Sequence, residues 1–160
     1  LMEQVLQQEK QVLYLLPEIS LTSQMIHRLQ DRFGSKVVVY HSKFSIHERV
    51  EVWNNIINKQ EKAQIILGAR SSVFLPFKDL GLIIVDEEHE SSFKQFDPAP
   101  RYHARDTAIV LGKLKGAKVL LGSATPDIET RFNVERKNMD MRNLLPDLEG
   151  FLCPRSGVLI

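Results

Sequence analysis

Four consecutive residues, Asp86-Glu87-Glu88-His89, stand directly after the apolar run Gly-Leu-Ile-Ile-Val. Carboxylates at the end of a buried strand can do hydrolytic chemistry: one binds Mg²⁺ and the next orients an attacking water. A strand sends successive side chains to opposite faces, so the four cannot share one task. An isolated Asp-Glu pair is more often a solvated acidic turn, so the assignment depends on its neighbours. A two-metal hydrolase built on Asp86, Glu87 and Glu88 is disfavoured, because no further carboxylate or histidine cluster completes such a site.

Two other stretches carry chemistry. Ser123-Ala124-Thr125 ends a later apolar run, and Thr125-Pro126-Asp127-x-Glu129 also reads as a helix start, with Thr125 at the N-cap and Ile128 and Phe132 facing inward. Residues 91–105, SSFKQFDPAPRYHAR, interleave Phe93, Phe96 and Tyr102 with Lys94, Arg101, His103 and Arg105. Aromatic rings stack on bases while cations meet phosphates, a pairing suited to single strands. The alternative is a surface loop whose rings fold back into the core, and for Tyr102 the two readings are even. Phe93 and Lys94 follow the acidic cluster so closely that a loop there could sense DNA and report to the carboxylates. Pro98 and Pro100 stiffen it without a helix.

The elements that must position these residues are five near-continuous apolar runs: 12–16, 37–40, 63–67, 82–85 and 117–121. Such runs suit strands covered on both faces, as in a parallel sheet. Between them lie helical stripes. Leu1, Met2, Val5 and Leu6 make one that starts without a cap, as though the chain begins inside a helix. Met25, Ile26, Leu29 and Phe33 make another, stopped at Gly34. Ser45 and Glu48 form a capping box for a helix expected to bury Val50, Trp53 and Ile57. Tyr102 to Lys115 is a helix ended by Gly116. Strands alternating with helices imply a three-layer α/β sandwich with a mainly parallel sheet, whose chemistry collects at the strands' carboxyl ends. Those ends are Pro17-Glu18, His41-Ser42, Gly68-Ala69-Arg70, Asp86 to His89 and Gly122 to Thr125. Residues 1–135 are read as one lobe and 136–160 as a tail with no assigned fold.

Bulk properties exclude several classes. The 160 residues are 43% hydrophobic and 26% charged, with a net charge of +1, as in an ordinary globular domain. No run approaches the roughly eighteen apolar residues of a membrane span, and residues 1–10, which carry Glu3, Gln4, Gln7, Gln8, Glu9 and Lys10, are not expected to act as a signal peptide. One cysteine, Cys153, rules out an internal disulfide framework or a Cys-rich zinc site within these residues, and makes a reducing, cytoplasmic setting the expectation.

Taken together, Asp86-Glu87-Glu88-His89, Ser123-Ala124-Thr125, Leu16-Pro17-Glu18-Ile19-Ser20-Leu21-Thr22-x-Gln24 and Gly68 to Phe74 resemble motifs of superfamily-two DEAD/DEAH-type helicases, in order. The runs Leu16 to Thr22, Val85 to Gln95 and Arg101 to Asp106 are similar to the bacterial replication-restart (primosomal) helicase family, over residues 1–132. That resemblance implies a RecA-like (P-loop NTPase) lobe, truncated at its start, of an ATP-dependent DNA helicase that moves on single-stranded DNA. By it Asp86 holds Mg²⁺, Glu87 polarises the water that attacks ATP, and His89 couples the nucleotide site to the motor. Ser123, Ala124 and Thr125 link hydrolysis to movement. Pro17, Glu18, Thr22, Gln24, Arg70, Ser71, Phe93, Lys94, Gln95, Arg101, Tyr102 and Arg105 would meet DNA. Thr22 is equally an N-cap, and Arg70 could instead pair with a nearby acid. Trp53 reads as core; His41 and His47 read as structural or exposed. The implied partners are single-stranded and forked DNA, other primosome proteins and single-strand-binding protein.

No G-x-x-x-x-G-K-[ST] stretch occurs; the one Gly-Lys pair, Gly112-Lys113, lies inside a helical segment. An ATP motor needs that loop to cradle phosphates, so these residues alone are expected neither to bind ATP well nor to hydrolyse it. By the resemblance the loop, the second motor lobe, the zinc-binding cysteines and the amino-terminal DNA-binding region fall outside them. The alternatives are a double-stranded DNA translocase of the same superfamily, and a non-catalytic motor-like module that binds DNA or protein.

Overall fold

The computed structural model describes residues 1–41, 43–58, 61–136, 142–143 and 158–159. Strands β1 (Gln11–Leu15), β2 (Val37–Tyr40), β3 (Ile65–Gly68) and β4 (Leu80–Asp86), with β7 (Lys118–Ser123), form a parallel sheet in the order β2-β3-β1-β4-β7. All five apolar runs are therefore strands, with ends shifted by one or two residues in all but the second. Two further strands, β5 (Lys94–Gln95) and β6 (Tyr102–His103), pair as a separate antiparallel hairpin.

Side-chain alternation explains the three layers. On one face Leu13, Leu15, Ile66, Ile83 and Val85 pack with Val52 and Ile56 of helix α3 (Ile46–Ile57) and with Ala104 and Ala108 of α4 (Ala104–Lys115). On the other, Val12, Tyr14, Ile65, Leu67, Leu82 and Ile84 pack with Met2, Val5 and Leu6 of α1 (Met2–Gln7) and Leu29 of α2 (Ser23–Phe33). Each fully buried aliphatic side chain contributes about 1.5–3 kcal/mol. β1 and β4, adjacent at the centre, are buried along most of their length, and that rigid centre ends at Asp86.

Local signals explain the helix ends. Thr22 Oγ1 accepts the Met25 amide and caps α2. The Ser45–Glu48 capping box closes α3, and its hydrogen bonds hold the exposed Glu48 carboxyl below its usual range. Gly116 stops α4 at φ +65°, a conformation that costs glycine little.

Four expectations are corrected. Helix α3 buries Val52 and Ile56, leaving Trp53 43% and Val50 51% exposed. The last described helix, α5 (Ile128–Glu135), has Asp127 rather than Thr125 at its N-cap. It turns Thr130 inward, with Ile128 79% and Phe132 50% exposed; the Phe132 ring instead lies under the Arg136 guanidinium. Tyr102 and His103 belong to β6, so α4 begins at Ala104. In the stretch without an assigned fold, β8 (Arg142–Asn143) pairs with β9 (Val158–Leu159), and β9 runs antiparallel along Gly122 and Ser123 of β7. Ser42 and Cys153 lie outside the described residues.

Candidate functional site

The register of β4 sets the site. Asp86, its last residue, lies beside Gly122 of β7, where a Cβ would come within 3.4 Å of Asp86 Oδ1. The chain then turns through Glu87 at φ +52°, a left-handed conformation costing about 1–2 kcal/mol in a residue with a Cβ. Strain of this kind persists where the surroundings fix it, often at working sites. The Glu88 amide donates to Gly122 O at 2.9 Å and the Glu90 amide to Glu87 O at 2.8 Å, which hold the turn.

This turn splits the four residues into distinct roles. Asp86 is fully buried and accepts from the Tyr14 hydroxyl at 3.0 Å and the Glu87 amide at 3.1 Å. It also lines a cleft of about 330 Å³ with Leu16, Ser20, Thr22, Gln24 and Arg28. His89 Nδ1 stands 2.6 Å from Ser123 Oγ and 3.7 Å from Glu87 Oε2; which atom donates to which depends on the imidazole tautomer. Ser123 Oγ in turn accepts the Thr125 amide at 3.0 Å. The acidic cluster and Ser123-Ala124-Thr125 are thus hydrogen-bonded to each other. Ala124 and Thr125 are exposed.

Among the described residues no group of three or more His, Cys, Asp or Glu is arranged to hold a metal. Mg²⁺ in nucleotide sites takes one or two carboxylates and completes its octahedron with phosphate and water. Asp86 facing the cleft fits that requirement; a dedicated protein cage does not.

Glu88 has a different environment. It is fully buried, and its carboxylate accepts from the Asp127 amide at 2.8 Å, Thr130 Oγ1 at 3.0 Å and Arg105 Nη1 at 3.1 Å. Arg105 further donates to Asp106 at 2.9 Å, Asp127 Oδ2 at 2.9 Å and Glu129 at 2.8 Å. Burial alone would lower its pKa, but these carboxylates outweigh burial and raise it. The Arg105 hydrogen bond holds the Asp127 carboxyl below its usual value. Arg105, expected to meet DNA, is only 3% exposed, and its guanidinium is committed to four carboxylates. The structure thus places it inside the protein, away from the exposed cations of the loop. Tyr14, Asp127 and Thr130 were not singled out as a site; a tyrosine inside the otherwise apolar run of β1 was the available signal.

The aromatic loop is also rearranged. Phe93 is 1% exposed and its ring packs into the core. Lys94, Phe96 and Arg101 are exposed, with Lys94 Nζ 4.9 Å from the Phe96 ring centroid. The Gln95 side-chain amide donates to the carbonyls of Pro98 at 2.8 Å and Pro100 at 3.1 Å, closing the loop on itself. Tyr102 is half-buried, edge-on to Phe74 at 4.8 Å; burial raises its pKa, partly opposed by the Arg70 charge. Arg70 braces the hairpin from below, donating to the carbonyls of Ser92 and Lys94 at 3.3 and 3.2 Å. At the other strand ends Pro17 is buried, Ser71 is half-buried, and Glu18, Thr22 and Gln24 are exposed.

The family model described as DEAD/DEAH box helicase matches residues 1–133. Among curated relatives, the replication restart protein PriA of Bacillus subtilis (strain 168) is 44% identical over 142 residues, covering 89% of this chain and 17% of the relative. That of Rickettsia felis is 47% identical over 126 residues, covering 79% and 19%. That of Rickettsia typhi is 42% identical over 163 residues, covering 94% and 25%. The chain therefore spans between 17% and 25% of the length of these relatives.

Proposed function

Because the chain belongs to the DEAD/DEAH box helicase family, we propose that it forms part of the first motor lobe of an ATP-dependent DNA helicase acting in replication restart. The observation that carries this reading is the His89–Ser123 hydrogen bond of 2.6 Å. It joins the end of β4, where hydrolytic carboxylates stand, to the end of β7, which leads into α5.

Asp86 is the residue that would hold Mg²⁺, which supplies charge neutralisation at the phosphates. Tyr14 and the Glu87 amide orient that carboxylate. Glu87 orients the attacking water and accepts its proton. Its Oε2 lies 3.7 Å from His89 Nδ1, so a change of charge on Glu87 is felt at His89 and passed to Ser123, Ala124 and Thr125. Single-stranded or forked DNA would run past the exposed Lys94, Phe96 and Arg101, with Tyr102 at the base of the hairpin and Arg70, Ser71 and Gln95 shaping it. Glu18, Thr22 and Gln24 would meet the backbone at the end of β1. Primosome proteins and single-strand-binding protein are the proposed protein partners, in the cytoplasm. No helix among the described residues is long and apolar enough to cross a membrane.

The test is exchange of Glu87 for glutamine in the complete helicase, with ATP hydrolysis measured with and without single-stranded DNA. Loss of hydrolysis with ATP binding retained supports the reading; hydrolysis at the unaltered rate refutes it.

A further inference from the structure

Arg105 sits where three parts of the site meet. The hairpin's return strand β6 (Tyr102–His103) leads directly into Ala104 and Arg105. From there the guanidinium reaches Glu88, one residue beyond Glu87, and Asp127, the N-cap of α5. Glu88 also takes the Asp127 amide and the Thr130 hydroxyl, so a single carboxylate ties the acidic turn to the helix after Ser123-Ala124-Thr125.

The four carboxylates around Arg105 do not depend on it equally. The side chains of Asp106, Asp127 and Glu129 are 56%, 35% and 70% exposed, so water can solvate them without the cation. Glu88 is 0% exposed and has no such recourse. A buried carboxylate parted from its cation is strongly destabilised. Displacement of Arg105 is therefore felt by Glu88 almost alone, and the acidic turn must follow the guanidinium. Stability alone is a weak account of the arrangement: well-packed apolar residues can often replace a buried ion pair without loss.

Resting on the proposed helicase reading, we propose that Arg105 is a positioning residue that relays the state of the Lys94–His103 hairpin, through Glu88, to Glu87 and His89. DNA seated on Lys94, Phe96 and Arg101 pulls on β6; β6 moves the first turn of α4; Arg105 carries that movement to Glu88. Neither Arg105 nor Glu88 touches nucleotide or DNA.

The experiment compares Arg105→Lys, Glu88→Gln and the double variant in the complete helicase. An ammonium concentrates three donors at one point and cannot reach four carboxylates as the planar guanidinium does. A glutamine keeps one oxygen for the Asp127 amide and turns its NH₂ toward Thr130 Oγ1, which can accept from it, while losing the charge, so Glu88→Gln carries the test even if Arg105→Lys does not fold. The readouts are ATPase rates with and without oligo-dT, the KM for ATP, and the oligo-dT Kd. The ratio of DNA-stimulated to DNA-free rate is expected to fall about tenfold in each single variant, a size typical of lost site-to-site coupling. The double variant falls no further, because both changes cut one path. KM and Kd stay within about twofold, since neither ligand is touched. A ratio that stays at the unaltered value, or falls only in step with weakened DNA binding, overturns the relay. An unaltered helicase with no DNA-stimulated ATPase overturns the functional reading itself, a separately recognisable result.

Discussion

Exchange of Arg105 for alanine isolates the cost of leaving Glu88 alone in the core. The two side chains are 4% and 0% exposed and 3.1 Å apart, so neither can recover solvent by a rotamer change. Removing one partner of such a pair costs about 3–5 kcal/mol. Glu88 keeps the Asp127 amide and the Thr130 hydroxyl, which places the expected loss near the lower bound, about 3 kcal/mol. A second change, Glu88→Gln, removes the stranded charge and should restore about 2 kcal/mol of it. Urea denaturation of the chain at pH 7, followed by circular dichroism, measures both. Acidification gives a further check. The hydrogen bond from Arg105 holds Asp127 below its ordinary value of 3.8, so its contribution is complete above that pH and is lost as pH falls through the folded value. The unaltered chain should therefore lose stability there more steeply than Arg105→Ala. A loss under about 1 kcal/mol at pH 7, the range of an exposed pair, would refute the reasoning, as would a double variant no more stable than the single one.

Tyr14→Phe removes a hydroxyl that donates to a buried carboxylate at 3.0 Å. The expected loss is about 1.5–3 kcal/mol in the same denaturation assay, the range for hydrogen bonds to charged groups. A neutral result would mean that Asp86 does not lean on Tyr14. His103 has its pKa lowered by burial, partly opposed by Asp106; the unfolded state then binds the proton first, so stability declines as pH falls from about 6.5 toward the folded value. His103→Gln should flatten the stability profile in that window, and an unchanged slope would count against it.

Much of the frame is legible in the sequence because burial leaves a coarse mark. Strands β1, β3 and β4 are covered on both faces and β2 and β7 partly so, and their unbroken apolar runs say so. Helix α3 shows the limit of periodicity. It has apolar residues on two stripes, Val50-Trp53-Ile57 and Val52-Ile56, and only packing against the sheet selects the second. In α5 the inward position goes to Thr130 rather than Ile128, because its hydroxyl satisfies Glu88, a contact spanning 42 positions. The hairpin is invisible for a different reason: strands of two residues are too short to carry a period. Phe93 and Arg105 were grouped with the exposed cations and rings by composition, by place after the acidic cluster and by the family resemblance. Burial separates them, one into the core and the other into an ion cluster. The acidic turn and Ser123 were both evident from their place after apolar strands, but the bond between His89 and Ser123 is a property of the sheet order, which sets β4 beside β7.

The most direct measurement of the central claim is the ATPase rate of the complete helicase carrying Glu87→Gln, in saturating single-stranded DNA. Removal of a general base lowers a rate by about 10²–10⁴-fold, and the account predicts a loss of that size with ATP affinity kept within about threefold. Retention of more than about half of the rate, where loss of a base should leave about a hundredth, would contradict it. The turn at Asp86 to His89 would then be a structural corner of the sheet rather than the hydrolytic centre of a motor.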